Sequence, residues 1–191
     1  MNSSSSYFPV FVDLSKKHIL LIGGGKIARD KLEKLLDFTT NIKVVSKEFS
    51  DFTLEIIQKN HINYEKREYK ESDLDSVDIV ISAIDDIELQ KKIYHQSREK
   101  RVLVNSVDSK DFCDFIFGSY IKEEDLIISI STSGSSPSVS RYLKVFLKKT
   151  LPKNLSSFLR KVKSKRDSLP KGKERMEVIN TMVKDFFDSA Q

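Results

Sequence analysis

A lone cysteine, three scattered histidines and no apolar run of membrane-spanning length are what this 191-residue chain holds least of, and each shortage closes a class. With Cys113 as the single thiol, no internal disulfide can form, which fits a reducing compartment. No stretch approaches the roughly 18 apolar residues that span a bilayer, and 32% of the residues are charged, so no membrane partner is expected. His18, His61 and His95 lie far apart in the sequence and no second cysteine joins Cys113, so no preformed metal site is expected. Met1 to Ser6 is polar and serine-rich, with neither a basic nor an apolar leader region, and reads as a frayed N-terminus of a cytoplasmic protein.

What is present suffices for a core. Hydrophobic residues make up 39% of the chain, 12 of them phenylalanine, and the length accommodates one full domain with a smaller appendage. The net charge of +5 is unevenly spread: between Arg141 and Arg175 there are 13 Lys and Arg against only Asp167 and Glu174. Such a stretch is either a solvated helix face or a surface for a polyanion, whether nucleic acid or a small polycarboxylate. No nucleic-acid motif accompanies the charge, so no nucleic-acid partner is expected.

The stretch around which the chain is organised is Ile19-Leu20-Leu21-Ile22 followed by Gly23-Gly24-Gly25-Lys26-Ile27-Ala28. An apolar run of this length fits a strand buried on both faces, and the glycines fit a tight turn into a helix. Gly23-x-Gly25-x-x-Ala28 matches the dinucleotide fingerprint, which aims the N–H groups of a helix start at a pyrophosphate. Two other signatures are missing. Gly25-Lys26 is followed by Ile27, which is no P-loop, and no tyrosine has a lysine four residues later, as the Tyr-x-x-x-Lys pair of short-chain dehydrogenases requires.

The periodicity predicts strands at His18–Ile22, Ile42–Val45, Ile62–Arg67, Val77–Ala83 and Val102–Asn105, alternating with helices at Lys26–Asp37, Phe49–Asn60 and Ile87–Arg98. This is an α/β pattern, a Rossmann-type doubly wound parallel sheet. Tyr7 to Asp13 is expected to pack as an extended lead-in across it. Past Asp108 the pattern changes. Phe112–Phe117 and Leu126–Ser131 are expected to form a hairpin about the charged turn Lys122–Asp125, followed by a helix from Ser136-Pro137 to Thr150. Two more helices, Leu155–Ser168 and Glu174–Ser189, complete the chain. The expected organisation is a nucleotide-binding domain over residues 1–111, a small α+β region over 112–150 and a helical region over 151–191.

Candidate cofactor-binding residues follow from position. Gly23, Gly25, Lys26 and Ile27 form the turn. Ser46, Lys47 and Glu48 stand about 20 residues beyond it, where an acid commonly meets the adenosine ribose. Ser46 or Glu48 could bond a ribose hydroxyl and Lys47 a 2′-phosphate, so NAD and NADP are both compatible. Ala83, Ile84 and Asp85 end the next strand beside the same cofactor. Asn105-Ser106-Val107-Asp108 ends the last parallel strand, where Asp108 either exchanges a proton or caps a loop. Thr132-Ser133-Gly134-Ser135-Ser136 offers hydroxyl and N–H groups to carboxylates, or is a turn and cap only.

Taken together, Tyr7-Phe8-Pro9-Val10-Phe11, the glycine turn with Lys31, Asp85-Asp86, Asn105-Ser106-Val107-Asp108, Cys113-Asp114-Phe115-Ile116 and Ile130-Ser131-Thr132-Ser133-Gly134-Ser135-Ser136-Pro137 resemble the precorrin-2 dehydrogenase family, the siroheme synthase N-terminal module. The resemblance covers nearly the whole chain. It implies NAD-dependent oxidation of precorrin-2 to sirohydrochlorin, in siroheme or cobalamin biosynthesis, with Asp108 as the catalytic residue. It further implies a polycarboxylate tetrapyrrole substrate met by Asn105 and by Thr132, Ser133, Gly134, Ser135 and Ser136, and a homodimer built through the 112–150 region. Some members also insert ferrous iron into the product, as a chelation substrate. The rival expectation is an NAD-sensing regulatory module without turnover. Gly118-Ser119, Ile84, Asp30 and Thr132 depart from the commoner residues of the family.

Overall fold

The computed structural model describes residues 7–107 and 109–189. The chain divides into two compact units, Met1–Ile116 and Phe117–Gln191.

In the first unit, strands β1 (Ile19–Ile22), β2 (Ile42–Ser46), β3 (Asn63–Lys66), β4 (Ile79–Ser82) and β5 (Leu103–Ser106) alternate with helices α1 (Lys26–Leu36), α2 (Asp51–Lys59) and α3 (Ile87–Lys100). The sheet is wholly parallel in the order β3-β2-β1-β4-β5. β1 is central and buried along its whole length, as its apolar run requires. β3 is an edge strand with all four residues exposed, which is why it tolerates Asn63, Glu65 and Lys66. Side chains alternate between the faces. Leu20, Ile22, Val45, Val80 and Val104 form one core with Leu74, Ile93 of α3 and Val102. On the other face Ala28, Leu32 and Leu35 of α1 and Ile57 of α2 are buried. Each buried Leu, Ile or Val side chain contributes about 1.5–3 kcal/mol, and the Ala28 methyl less.

The chain goes outward from β1 to β2 and β3, then crosses back to β4 on the opposite side of β1. Its carboxyl ends diverge there, and in doubly wound folds the ligand crevice opens at this point.

The second unit holds an antiparallel hairpin, β6 (Ser119–Glu123) and β7 (Leu126–Ile130), and helices α4 (Pro137–Thr150), α5 (Leu155–Ser168) and α6 (Lys173–Asp188). Ser119 pairs with Ile130 and Glu123 with Leu126, so the turn is only Glu124-Asp125, with Glu124 at φ +54°. α4 packs against both strands. Phe158 of α5 stacks on Phe186 of α6 with ring centroids 3.8 Å apart.

Two expectations about local structure are corrected. The first hairpin strand is not Phe112–Phe117 but Ser119–Glu123. Phe112 ends a short 3-10 turn (Lys110–Phe112), and residues 113–115 are spent along β5: the Cys113 thiol accepts from Ser106 N at 3.2 Å, Asp114 N donates to Val104 O at 2.8 Å, and Phe115 O accepts from Asn105 Nδ2 at 2.8 Å. The lead-in Tyr7–Asp13 forms no strand, and Phe8, Val10 and Phe11 are exposed.

Candidate functional site

The turn after β1 is built from two close approaches and one opening. Gly23 has φ +123°, and a Cβ on it would stand 2.3 Å from Ala83 O, so no other residue lets β1 and β4 converge here. A Cβ at Gly24 would stand 2.1 Å from Glu48 O. A Cβ at Gly25 would meet no protein atom within 4 Å. No packing therefore demands glycine at 25; the space above it is open to the cleft. Ala28, fully buried, stands against Gly23 and lets α1 sit close to the strand. Gly25 is also the residue before α1 and carries no capping side chain, so the first-turn N–H groups of α1 have no side-chain partner there.

Around this turn lies a cleft of about 1570 Å³. Gly23, Gly25, Lys26, Ile27, Ser46, Lys47, Glu48, Ala83, Ile84 and Asp85 all line it. The structure thus gathers the ten residues named as cofactor-binding on one surface. Their individual states differ. Ser46 Oγ donates to Glu48 O at 2.7 Å, which folds the chain after β2 back on itself. Lys47 Nζ stands 2.9 Å from the Glu68 carboxylate, which raises the lysine's pKa and lowers that of the glutamate. Ala83 N donates to Ile22 O at 2.8 Å, extending the β1–β4 ladder to the cleft floor.

Several lining residues escaped the sequence reading. Arg67, Glu68, Tyr69, Lys70 and Glu71 form one rim, supplied by the loop after β3. Asp73, buried beneath it, binds the Arg67 guanidinium through both oxygens at 2.5 and 2.7 Å and accepts from Lys70 N at 2.8 Å. Burial pushes this carboxyl up, but Arg67 and the Lys70 N–H outweigh it and hold its pKa down at about 2. On the other rim Asp86 caps α3 through Leu89 N at 2.9 Å. Gln90 is 4% exposed, and its Nε2 bridges Ile84 O at 2.7 Å and Val107 O at 3.2 Å. Its Oε1 has no hydrogen-bond partner, which leaves an acceptor buried in the cleft wall. The available signal was Gln90's place among the buried positions of α3, with Ile93 and Ser97, where a polar side chain asks for an explanation.

The residues named for a substrate are placed otherwise. Asn105 on β5 is 4% exposed and does not line the cleft; its Nδ2 donates to Phe115 O at 2.8 Å, tying down the segment after β5. Thr132, Ser133, Gly134, Ser135 and Ser136 belong to the second unit, in the loop between β7 and α4. That loop is stitched internally. Thr132 Oγ1 accepts from Ser136 N at 3.1 Å, and Ser136 Oγ caps α4 by accepting from Val139 N at 3.3 Å. Asp108, the named catalytic residue, lies outside the described residues. Its neighbour Val107 lines the cleft.

The site fits a dinucleotide on three observations of its own: an uncapped helix start, an unfilled position above Gly25 and an orphaned acceptor on Gln90. Among the described residues, no group of three or more His, Cys, Asp or Glu is arranged to hold a metal ion.

A family model described as "Putative NAD(P)-binding" matches residues 10–119. Siroheme synthase 1 of Serratia proteamaculans is 34% identical over 149 residues, covering 78% of this chain and 31% of that protein. The siroheme synthase of Pseudoalteromonas atlantica is 34% identical over 150 residues, covering 78% and 32%. The chain thus spans about a third of the length of these relatives. Among solved structures, "SirC, precorrin-2 dehydrogenase" superposes with a TM-score of 0.78 at 23% identity, covering 94% of this chain and 90% of that one, which shows the shared fold.

Proposed function

We propose that the chain, which belongs to the NAD(P)-binding family matched over residues 10–119, is a precorrin-2 dehydrogenase of the siroheme synthase N-terminal type and oxidises precorrin-2 to sirohydrochlorin with NAD. The observation that carries the reading is the cleft at the β1–β4 switch point, open above Gly25 and facing the uncapped start of α1.

In this reading the first-turn N–H groups of α1, beginning at Lys26 and Ile27, hold the pyrophosphate, and Gly25 lets it approach the backbone. Ser46, Lys47 and Glu48 flank the adenosine ribose. Ala83, Ile84 and Asp85 floor the other half, with Gln90 Oε1 as an acceptor for a polar group. Bound there, the dinucleotide supplies a hydride acceptor. Oxidation removes one hydride and one proton from the tetrapyrrole, and the Asp108 carboxylate takes the proton. Asn105 supports the strand end that carries Asp108, while Thr132–Ser136 and the basic residues between Arg141 and Arg175 meet substrate carboxylates. Ferrous iron enters only as a second substrate, inserted into the product.

The protein acts as a homodimer in the cytoplasm. Support for the dimer comes from α4: Val139, Tyr142, Leu143 and Phe146, spaced to share one helix face, are all exposed. No helix among the described residues is long and apolar enough to cross a membrane.

The test is an absorbance assay of precorrin-2 with NAD, wild type beside Asp108→Asn, followed by ferrous iron. Sirohydrochlorin formation lost in the variant supports the reading. NADH binding without turnover in wild type would leave a cofactor-sensing module instead.

A further inference from the structure

Resting on the reading of the cleft as a nicotinamide dinucleotide site, we infer that Glu68 is the residue that selects NAD over NADP, by neutralising Lys47 where a 2′-phosphate would otherwise find a cation.

Lys47 directly follows the last residue of β2, the position at which such folds meet the adenosine ribose. A lysine there is the ordinary mark of a 2′-phosphate site, and the sequence alone left that option open. The structure adds the partner. Glu68, reaching in from the loop after β3, sets its carboxylate 2.9 Å from Lys47 Nζ. Asp86 across the cleft adds a second negative charge that acts on the same ammonium.

Arg67, the cation on the neighbouring rim, is also engaged. Arg67 uses four of its five N–H donors: two on Asp73, one on Glu65 at 2.5 Å and one on Glu68 O at 2.8 Å. Asp73 is 7% exposed, so this guanidinium is anchored from below and cannot swing up to a phosphate without giving up both of its bonds to a buried carboxylate, which would keep only the Lys70 N–H and Lys43, 3.4 Å away. Lys43 of β2 is likewise turned to Glu65, at 2.6 Å. Of the remaining charged residues on this rim, Lys70 is matched by Glu71, and Glu48 stands directly after Lys47 on the segment leaving β2. A ribose with its 2′-hydroxyl can bond to carboxylates in such a setting, whereas a phosphate dianion meets them as like charges.

The Lys47–Glu68 pair is solvent-exposed and adds little to stability. Its consequence is the sign of the local field, which persists even while the pair opens and closes. Removing the carboxylate releases Lys47 to a phosphate without altering the anchored Arg67.

The experiment titrates wild type, Glu68→Gln and the double variant Lys47→Ala/Glu68→Gln with NADH and with NADPH at low salt, reading nicotinamide fluorescence. Wild type is expected to bind NADH at least tenfold more tightly. In Glu68→Gln the ratio of the two dissociation constants shifts about fivefold or more toward NADPH, and the double variant loses that shift. Equal affinities in wild type, or a ratio unmoved by Glu68→Gln, overturns the inference while leaving the dinucleotide site intact. Binding of neither cofactor to wild type overturns the reading of the cleft itself. Thermal melts of each variant confirm that the folded protein is being titrated.

Discussion

Asp114 holds Arg98 in a two-pronged grip, Arg98 Nη1 donating at 2.8 Å and Nη2 at 2.5 Å, while the same carboxylate accepts the Val104 N–H at 2.8 Å. One side chain thereby joins the end of α3, the outer strand β5 and the segment leaving the first unit. Asp114→Ala removes all three contacts and leaves Val104 N without its acceptor. The expected loss is about 2–3 kcal/mol in chemical denaturation, against less than about 1 kcal/mol for truncating an exposed acid such as Glu33.

The glycine turn separates folding from binding. Gly23→Ala forces a left-handed backbone and a Cβ 2.3 Å from Ala83 O, so a destabilisation of about 3 kcal/mol is expected. Gly25→Ala meets no protein atom within 4 Å. It should cost about 1 kcal/mol or less while weakening NADH binding by about tenfold or more. Melting curves and fluorescence titration on the same two samples check both halves.

Asp73 makes stability acid-sensitive. Its folded pKa of about 2 lies below the ordinary 3.8, so its contribution is whole above about pH 4 and disappears as the pH falls through about 2. The shift corresponds to about 2 kcal/mol. Urea denaturation of wild type and Asp73→Asn from about pH 6 downward should show the variant less stable at the start and the two curves converging at the acid end.

Tyr142→Glu with Phe146→Glu places two charges on the exposed apolar face of α4. Sedimentation should show the wild type as a dimer and this variant shifted to monomer, with NADH binding retained. A wild type that sediments as a monomer at micromolar concentration would remove the dimer from the proposal.

The doubly wound sheet was legible because its signals are local. Ile19–Ile22 is apolar without interruption, the glycines follow at once, and α1 and α3 show helical periodicity over 11 and 14 residues. The strand expected at Phe112–Phe117 misled because its phenylalanine and isoleucine content imitates a sheet. Cys113 and Asp114 engage β5 through side chains, a use that periodicity does not register. Nor does any local pattern join Lys47 to Glu68 or Arg67 to a buried Asp73. Those pairs exist only once β2 and β3 lie side by side and the chain beyond β3 folds back beneath the rim. The glycine half of the cleft was therefore readable from one short segment, while its charged half had to await the fold.

The two borders of the sheet are closed by different means. Along β5, residues 113–115 occupy the backbone and side-chain partners that a foreign strand would seek, and along β3 the charges of Glu65 and Lys66 make such docking unfavourable. Once the first unit has formed, neither border of its sheet therefore offers a bare template to a second strand, and that sheet should not seed fibrils when the chain is diluted from denaturant at high concentration.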